Sequence, residues 1–344
     1  MNEISLVQIS DLHFDSHIWN AEPARLSSLV GSGYDAHDVR LCAALKSVLV
    51  DELRVPNLQH CHLLVGGDLT ATGAAAEFAT ATQYLKSAHR LEEDGIAFDL
   101  GLSQPAARCW TVPGNHDHWN GRWMYARQPG YTAEVFPTHF PVHPWAHSIV
   151  SGTLELVLFG IDSNTIFEDF WINISLGAMG GFSARDRKEI AALIQETMSA
   201  PLRQGIKRRV AALLCHHPFS SDCRAAPLRL PCSKWLLELA ADCNVPVVLT
   251  GHTHRWWTQS FPVKTPRQEA TKWVFEVRSP TTLQTEPKLR PEEPRDPALR
   301  RPGFWLHRIR LEPDGRVRWT AQLYLYSAGQ FYWNREANWF SFNH

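Results

Sequence analysis

Five short apolar runs in this chain end alike, each leading into Asp, Asn or His, three of them with a glycine. Ile4–Ser10 leads into Asp11-Leu12-His13, and His62–Gly66 into Gly67-Asp68. Arg108–Val112 leads into Gly114-Asn115-His116-Asp117, Val210–Cys215 into His216-His217-Pro218, and Val245–Leu249 into Gly251-His252-Thr253-His254. Runs of this length and composition read as strands. Side chains launched from the carboxyl ends of neighbouring strands converge, and that is where open α/β sheets bind ligands. Glycine lets the backbone turn sharply there and approach what is bound.

Helical patterns fill the spaces between the runs. Asp35–Arg54, Glu77–Leu91, Ser183–Met198 (with Ser183 as N-cap) and Ser233–Asp242 carry apolar residues three to four apart. Leu154–Ile161 and Trp273–Ser279 read as further strands. Phe304–Leu311 and Arg316–Tyr324 flank Pro313-Asp314-Gly315, a hairpin signal. Strand–helix alternation means an α/β architecture of stacked layers. Two stretches fall outside it: Trp119–Trp145, read as a long ordered loop, and Pro280–Pro302, read as a surface excursion. No linker splits the 344 residues, so we expect a single domain over 1–344, with its core motifs in 1–280 and a C-terminal extension, 281–344.

Composition narrows the function classes. With 34 Lys+Arg against 35 Asp+Glu, the formal charge is −1, which disfavours an extended nucleic acid as partner but not a small anionic substrate. Hydrophobic residues make up 44%, too many for a disordered chain. No window of about 18 apolar residues suggests a membrane span, and the N-terminus reads as a first strand and not as a leader. The 7 cysteines are odd in number and form no C-x-x-C pair. Reduced thiols in a cytoplasmic protein are expected.

The residues at the strand ends are two Asp, one Asn and several His, with no thiolate. Such a set suits Zn, Fe or Mn. It is too large for one ion and the right size for two ions sharing a carboxylate. Two ions about 3.5–4 Å apart are a known device for in-line displacement at phosphorus by a hydroxide.

Asp11-x-His13, Gly67-Asp68, Gly114-Asn115-His116-Asp117, His216 and Gly251-His252-x-His254 together resemble the five motifs of the calcineurin-like metallophosphoesterases, in order. The resemblance implies a four-layer αββα sandwich. It implies that Asp11, His13 and His254 hold one metal, that Asn115, His216 and His252 hold the other, and that Asp68 bridges them. It places His116 beside the substrate phosphate, to stabilise or protonate the leaving oxygen. Asp117 is expected to orient the His116 ring and raise its pKa. The finer wording, Ile9-Ser10-Asp11-Leu12-His13, Gly67-Asp68-Leu69-Thr70 and His216-His217-Pro218, is most similar to bacterial cyclic-nucleotide and glycerophosphodiester phosphodiesterases. The expected substrate is therefore a small phosphodiester, with a phosphomonoesterase or nuclease on the same metals as the alternative and a non-catalytic scaffold as the remote one. A homo-oligomer stays open.

Neighbours of the motifs have plainer expected roles. His118 and His217 support the site or the fold, Thr70 caps or packs, and Cys215 points into the core. Phe14, Trp119, Trp123, Trp256 and Trp257 are expected mainly in the core, with a substrate wall as the sharper alternative. The remaining histidines have no ligand spacing.

Overall fold

In the computed structural model of the chain, period-two alternation along the strands sorts buried side chains into three separate cores. The structure describes residues 2–14, 37–52, 61–87, 90–93, 96–119, 131–165, 179–220, 227–265, 270–284, 301–335 and 340–343. Strand β1 (Glu3–Ile9) sends Leu6 to one face and Val7 and Ile9 to the other. β2 (Cys61–Val65) does the same with Leu64 against Leu63 and Val65. In β7 (Leu154–Gly160) and β8 (Arg208–Leu214), Leu156, Leu158, Ala212 and Leu214 face the core they share with Leu6. Val157, Phe159, Ala211 and Leu213 face away from it. Strands covered on both faces need an apolar residue at nearly every position, which is why they appear as runs in the sequence.

Two mixed sheets result. The first has the order β14-β13-β12-β1-β2-β5, with β15 also on β13. Here β5 is Cys109–Thr111, β12 Gly303–Leu311, β13 Val317–Ser327, β14 Gln330–Trp333 and β15 Phe340–Asn343. β1, β2 and β5 are parallel, while the β12–β13 hairpin joins β1 antiparallel, with Gln8 opposite Trp305. The hairpin foreseen near the C-terminus thus extends this sheet.

The second sheet has the order β10-β11-β9-β8-β7-β6, where β6 is Trp145–Ser151, β9 Val247–Thr250, β10 Trp257–Val263 and β11 Lys272–Arg278. Helices cover the outer faces. α1 (Val39–Ser47), α2 (Ala75–Lys86) and α3 (Tyr131–His139) belong to the first sheet, through Leu41, Leu45, Phe78, Leu85 and Phe136. α4 (Ala184–Ser199) and α5 (Leu230–Asp242) belong to the second, through Ile190, Ile194 and Leu236. The architecture is the expected αββα sandwich.

Several expectations need correcting. α2 ends at Lys86, before the predicted Leu91, because Ser87 turns extended. Arg90–Glu93 then pairs antiparallel with Ile96–Asp99 (β3 and β4), a hairpin that the intervening Asp94-Gly95 dipeptide signals in the sequence. The stretch Trp119–Trp145, read as a loop, contains α3. Pro137 inside that helix obscured its pattern. Residues 280–284 are not a surface excursion but are buried, with Thr281 and Thr282 completely covered. The rest of that stretch up to 300 lies outside the described residues, as does Trp123. Among the described residues no helix is long and apolar enough to cross a membrane.

A buried polar chain ties the sheets together near the site. Gln8, the penultimate residue of β1, donates from Nε2 to the carbonyls of Thr250 and Val277, at 3.0 and 3.2 Å. Its Oε1 accepts from His307 Nε2 at 3.0 Å, and His307 Nδ1 accepts from Trp319 Nε1 at 3.2 Å. The ends of β1 and β9, which carry Asp11 and His252, are thereby held together.

Candidate metal centre

The five strand ends converge, and the loops that follow them brace one another. Asp11 N donates to the Gly67 carbonyl, and Leu12 N and His13 N donate to that of Asp68, at 2.8–3.0 Å. His252 N donates to Asp11 Oδ2 at 3.1 Å, and His116 N to Asp68 Oδ1 at 2.8 Å. Thr281 Oγ1 holds the Asp11 carbonyl at 2.9 Å, and Ser10 and Thr282 bond to each other twice. Buried residues 281–282 thus clamp the first loop.

Backbone strain concentrates here. Asp11, His13, Asp68, His252 and His254 all take left-handed φ values, between 49° and 72°. Each such residue costs on the order of 1–3 kcal/mol and persists only where its surroundings enforce it. Two glycines make the close approach possible. A Cβ on Gly67 would lie 2.5 Å from His216 Nδ1, and one on Gly114 would lie 2.1 Å from Asp68 Oδ1.

The ligand-type atoms form overlapping groups in which they lie within 4.8 Å of one another: Asp11, His13 and His254; His13, Asp68 and His116; and Asp68, His216 and His252. Asp68 Oδ2 stands between them, 3.8 Å from His13 Nε2 and 3.3 Å from His216 Nε2. His254 Nε2 is 3.5 Å from Asp11 Oδ1. Asn115 Oδ1 and His252 Nδ1 approach His216 Nε2 at 3.2 and 3.1 Å.

These residues fit a cation. His216 Nδ1 donates to the Gly66 carbonyl at 2.7 Å, so in the neutral ring Nε2 is an acceptor. Around that nitrogen stand a carboxylate oxygen, an amide oxygen and a second imidazole nitrogen. Such a gathering of lone pairs needs a positive charge at its centre. Without a metal the proton serves. Burial works against charge on His216, yet Asp68 and Asp11 bring its pKa up to about 9. Burial is likewise opposed at Asp68, where His216 and His116 hold the carboxyl well below its ordinary range. Burial and the neighbouring histidines push His13 and His252 well down, leaving them as the neutral imidazoles that bind metals. Both ring nitrogens of His13, and Nε2 of His252, are buried with no hydrogen-bond partner.

His116 lies at the rim of this group, Nε2 3.9 Å from Asp68 Oδ2, its ring edge-on to His13 at 4.5 Å. The expected Asp117 contact to its ring is absent, and burial lowers the ring's pKa where Asp117 was expected to raise it. Both Asp117 oxygens are taken by Leu69 N, Thr70 N, Thr70 Oγ1 and Gly114 N, at 2.7–3.2 Å. Burial and Asp68 push the Asp117 carboxyl up to about 7, against those donors. Asp117 locks the second and third strand-end loops together, its carboxylate satisfied by four donors on those loops. The His116 ring is held instead by the Ala71 carbonyl, 2.8 Å from Nδ1, and by Trp119, whose ring centroid is 3.7 Å away.

A sixth strand end, after β7, also supports the site and was missed in the sequence. Asp162 Oδ2 is 3.0 Å from His118 Nε2. Ser163 Oγ accepts from His217 N at 3.2 Å and is hydrogen-bonded to His217 Nδ1 at 2.8 Å. Asn164 Nδ2 donates to the Pro113 carbonyl at 3.3 Å. The signal was there, since Asp162-Ser163-Asn164 follows a predicted strand. Phe14 is fully buried against His37 and Tyr84, and Trp256 packs toward Trp305, so these rings belong to the cores. Trp257 is partly exposed on β10. Cys215 is buried, its thiol pushed well up by that burial.

Comparison with known proteins agrees with this geometry. The sequence profile of the calcineurin-like phosphoesterases matches residues 4–256, well over half the chain. The chain belongs to that family and is a metal-dependent phosphoesterase, a phosphoric ester hydrolase whose metal-binding groups are buried His and Asp. Among solved structures it is similar to GAP50, the anchor in the inner membrane complex of Plasmodium, with a TM-score of 0.52 at 11% identity over 97% of this chain and 88% of that one. It is also similar to PhoD, with a TM-score of 0.49 at 10% identity over 98% of this chain and 72% of that one. At 11% identity the GAP50 likeness speaks to the fold alone. No curated protein matches the sequence closely enough to count as a relative.

Proposed function

We propose that the chain hydrolyses a small phosphodiester, of the cyclic-nucleotide or glycerophosphodiester type, at a dinuclear metal centre. The observation that carries the dinuclear centre is the place of Asp68, whose one carboxylate oxygen faces His13 at 3.8 Å and His216 at 3.3 Å. Asp11, His13 and His254 would hold one ion. Asn115, His216 and His252 would hold the other, with Asp68 shared. Bound Mn, Fe or Zn ions supply Lewis acidity and an activated water at neutral pH. The chain's own residues do the rest. The strained loops hold the ligands in place before any ion arrives. His116 Nε2 faces the site and gives a proton to the departing alkoxide. The formal charge of −1, close to neutral, suits a small anionic substrate drawn by the metals themselves. Cys42, Cys61, Cys109, Cys215 and Cys232 carry free thiols, which supports a cytoplasmic setting.

The diester reading rests on motif wording around Asp11, Asp68 and His216, and a direct comparison tests it. Metal-loaded protein is expected to hydrolyse bis-p-nitrophenyl phosphate faster than the monoester. Dominant monoester turnover would replace the diesterase with a phosphomonoesterase on the same metals.

A further inference from the structure

We propose that Glu77 is a positioning residue for His116: by organising the loop 71–74 it aims the Ala71 carbonyl at His116 Nδ1, and so keeps Nε2 as the nitrogen that faces the metal centre. The inference rests on the catalytic part assigned to His116 above.

The chain of contacts is short. Glu77 is 3% exposed, on the first turn of α2. Its Oε2 accepts from Thr72 N at 2.8 Å and Ala74 N at 3.2 Å, and its Oε1 accepts from Thr72 Oγ1 at 2.9 Å. Three donors from one four-residue loop therefore end on one carboxylate. The loop's other side is pinned by Gly73 N on Thr70 Oγ1 and by Ala71 N on the Phe14 carbonyl, both at 3.0 Å. Between these anchors the Ala71 carbonyl has little freedom, and it receives His116 Nδ1 at 2.8 Å.

A carbonyl only accepts, so Nδ1 must carry a hydrogen in every protonation state of the ring. The proton that comes and goes is then the one on Nε2. When His116 acts as acid, the N–H bond at Nε2 breaks, the proton goes to the leaving oxygen, and the ring returns to the neutral Nδ1–H form without moving. A loosened loop would let the ring turn or adopt the other tautomer, with its dissociable proton pointing away from substrate. Trp119 restrains the ring plane but offers it no acceptor at Nδ1. An ordinary helix cap would explain the Thr72 and Ala74 contacts and predict effects on stability alone.

The experiment compares Glu77→Ala, Glu77→Gln and Thr72→Val in the zinc-loaded full chain. Steady-state kinetics on bis-p-nitrophenyl phosphate and metal content are read beside histidine ring ¹⁵N spectra, with the His116 signals identified by their loss in His116→Gln. Glu77→Ala should lower kcat about tenfold or more, up to the roughly 10²–10⁴-fold that a general acid contributes. KM should stay within about twofold, metal content should be unchanged, and the His116 Nδ1–H signature should be lost. Glu77→Gln keeps an acceptor oxygen for both N–H groups and an amide that can donate to Thr72 Oγ1, so it should restore kcat and spectrum together. Thr72→Val, which removes one bond, should fall between them and serves if Glu77→Ala does not fold. An unchanged tautomer in Glu77→Ala, or in Thr72→Val if that variant must stand alone, would overturn the proposal. So would a Glu77→Gln variant that loses as much kcat as the alanine. If His116→Gln itself keeps full turnover, it is the catalytic reading of His116 that fails, and the spectra still report on Glu77.

Discussion

Single residues divide into those that would touch the ions and those that hold others in place. His116 is at the boundary, so its removal should separate chemistry from metal binding. His116→Ala is expected to lower turnover by about 10²–10⁴-fold while metal content stays near wild type, since general acids contribute in that range. Wild-type kcat in that variant would remove His116 from the mechanism. Gly114 makes the opposite case. Its missing Cβ is what admits Asp68, with Oδ1 2.1 Å from where the methyl of Gly114→Ala would sit and the Asp68 backbone nitrogen 2.3 Å away. Neither a backbone atom nor a carboxylate fixed by His116 N can retreat cheaply. Gly114→Ala should therefore lose metal affinity and turnover together. An alanine variant with full metal content would contradict the close approach.

At the scale of strands and loops, what was legible in the sequence depended on distance. Asp11, His13, Asp68, Asn115, His216, His252 and His254 were legible because strand-end placement is a local property, and the structure brings all seven together. The part played by Asp117 was not. Its partners Leu69 and Thr70 lie on another strand end, 48 and 47 positions away, and nothing beside Asp117 in the sequence announces them. Thr281 and Thr282, which clamp Asp11 and Ser10, escaped notice because a proline-rich context made the whole stretch look solvated. The three cores were readable only as apolar runs. Which residue enters which core is set by register, as where Leu6 and Leu64 share the inter-sheet core with Trp305 and Trp319. Trp305 is fully buried there, its Nε1 donating to the Arg278 carbonyl at 2.8 Å. Trp305→Ala should cost about 3–5 kcal/mol, the usual range for a large buried ring. A denaturant midpoint within error of wild type would deny that the two sheets pack through it.

For the molecule as a whole, the inter-sheet polar chain makes stability depend on pH in a predictable direction. Burial pushes His307 down to about 3. A folded pKa below the unfolded value of about 6.5 means the folded state binds fewer protons. The stability this neutral imidazole contributes is complete above pH 6.5 and is lost as pH falls toward 3. Between pH 7 and 4.5 the gap in unfolding free energy between wild type and His307→Gln should narrow by about 2 kcal/mol. A gap independent of pH would mean that His307 is not held neutral.

We propose that two ions share Asp68 at the convergence of the strand ends, and that this site does the chemistry. Metal analysis of protein purified without added metal, for wild type and Asp68→Ala, tests it most directly when paired with turnover of the same samples. Wild type should carry two ions per chain, and Asp68→Ala should lose both metal and hydrolysis. Wild-type turnover in Asp68→Ala would contradict it.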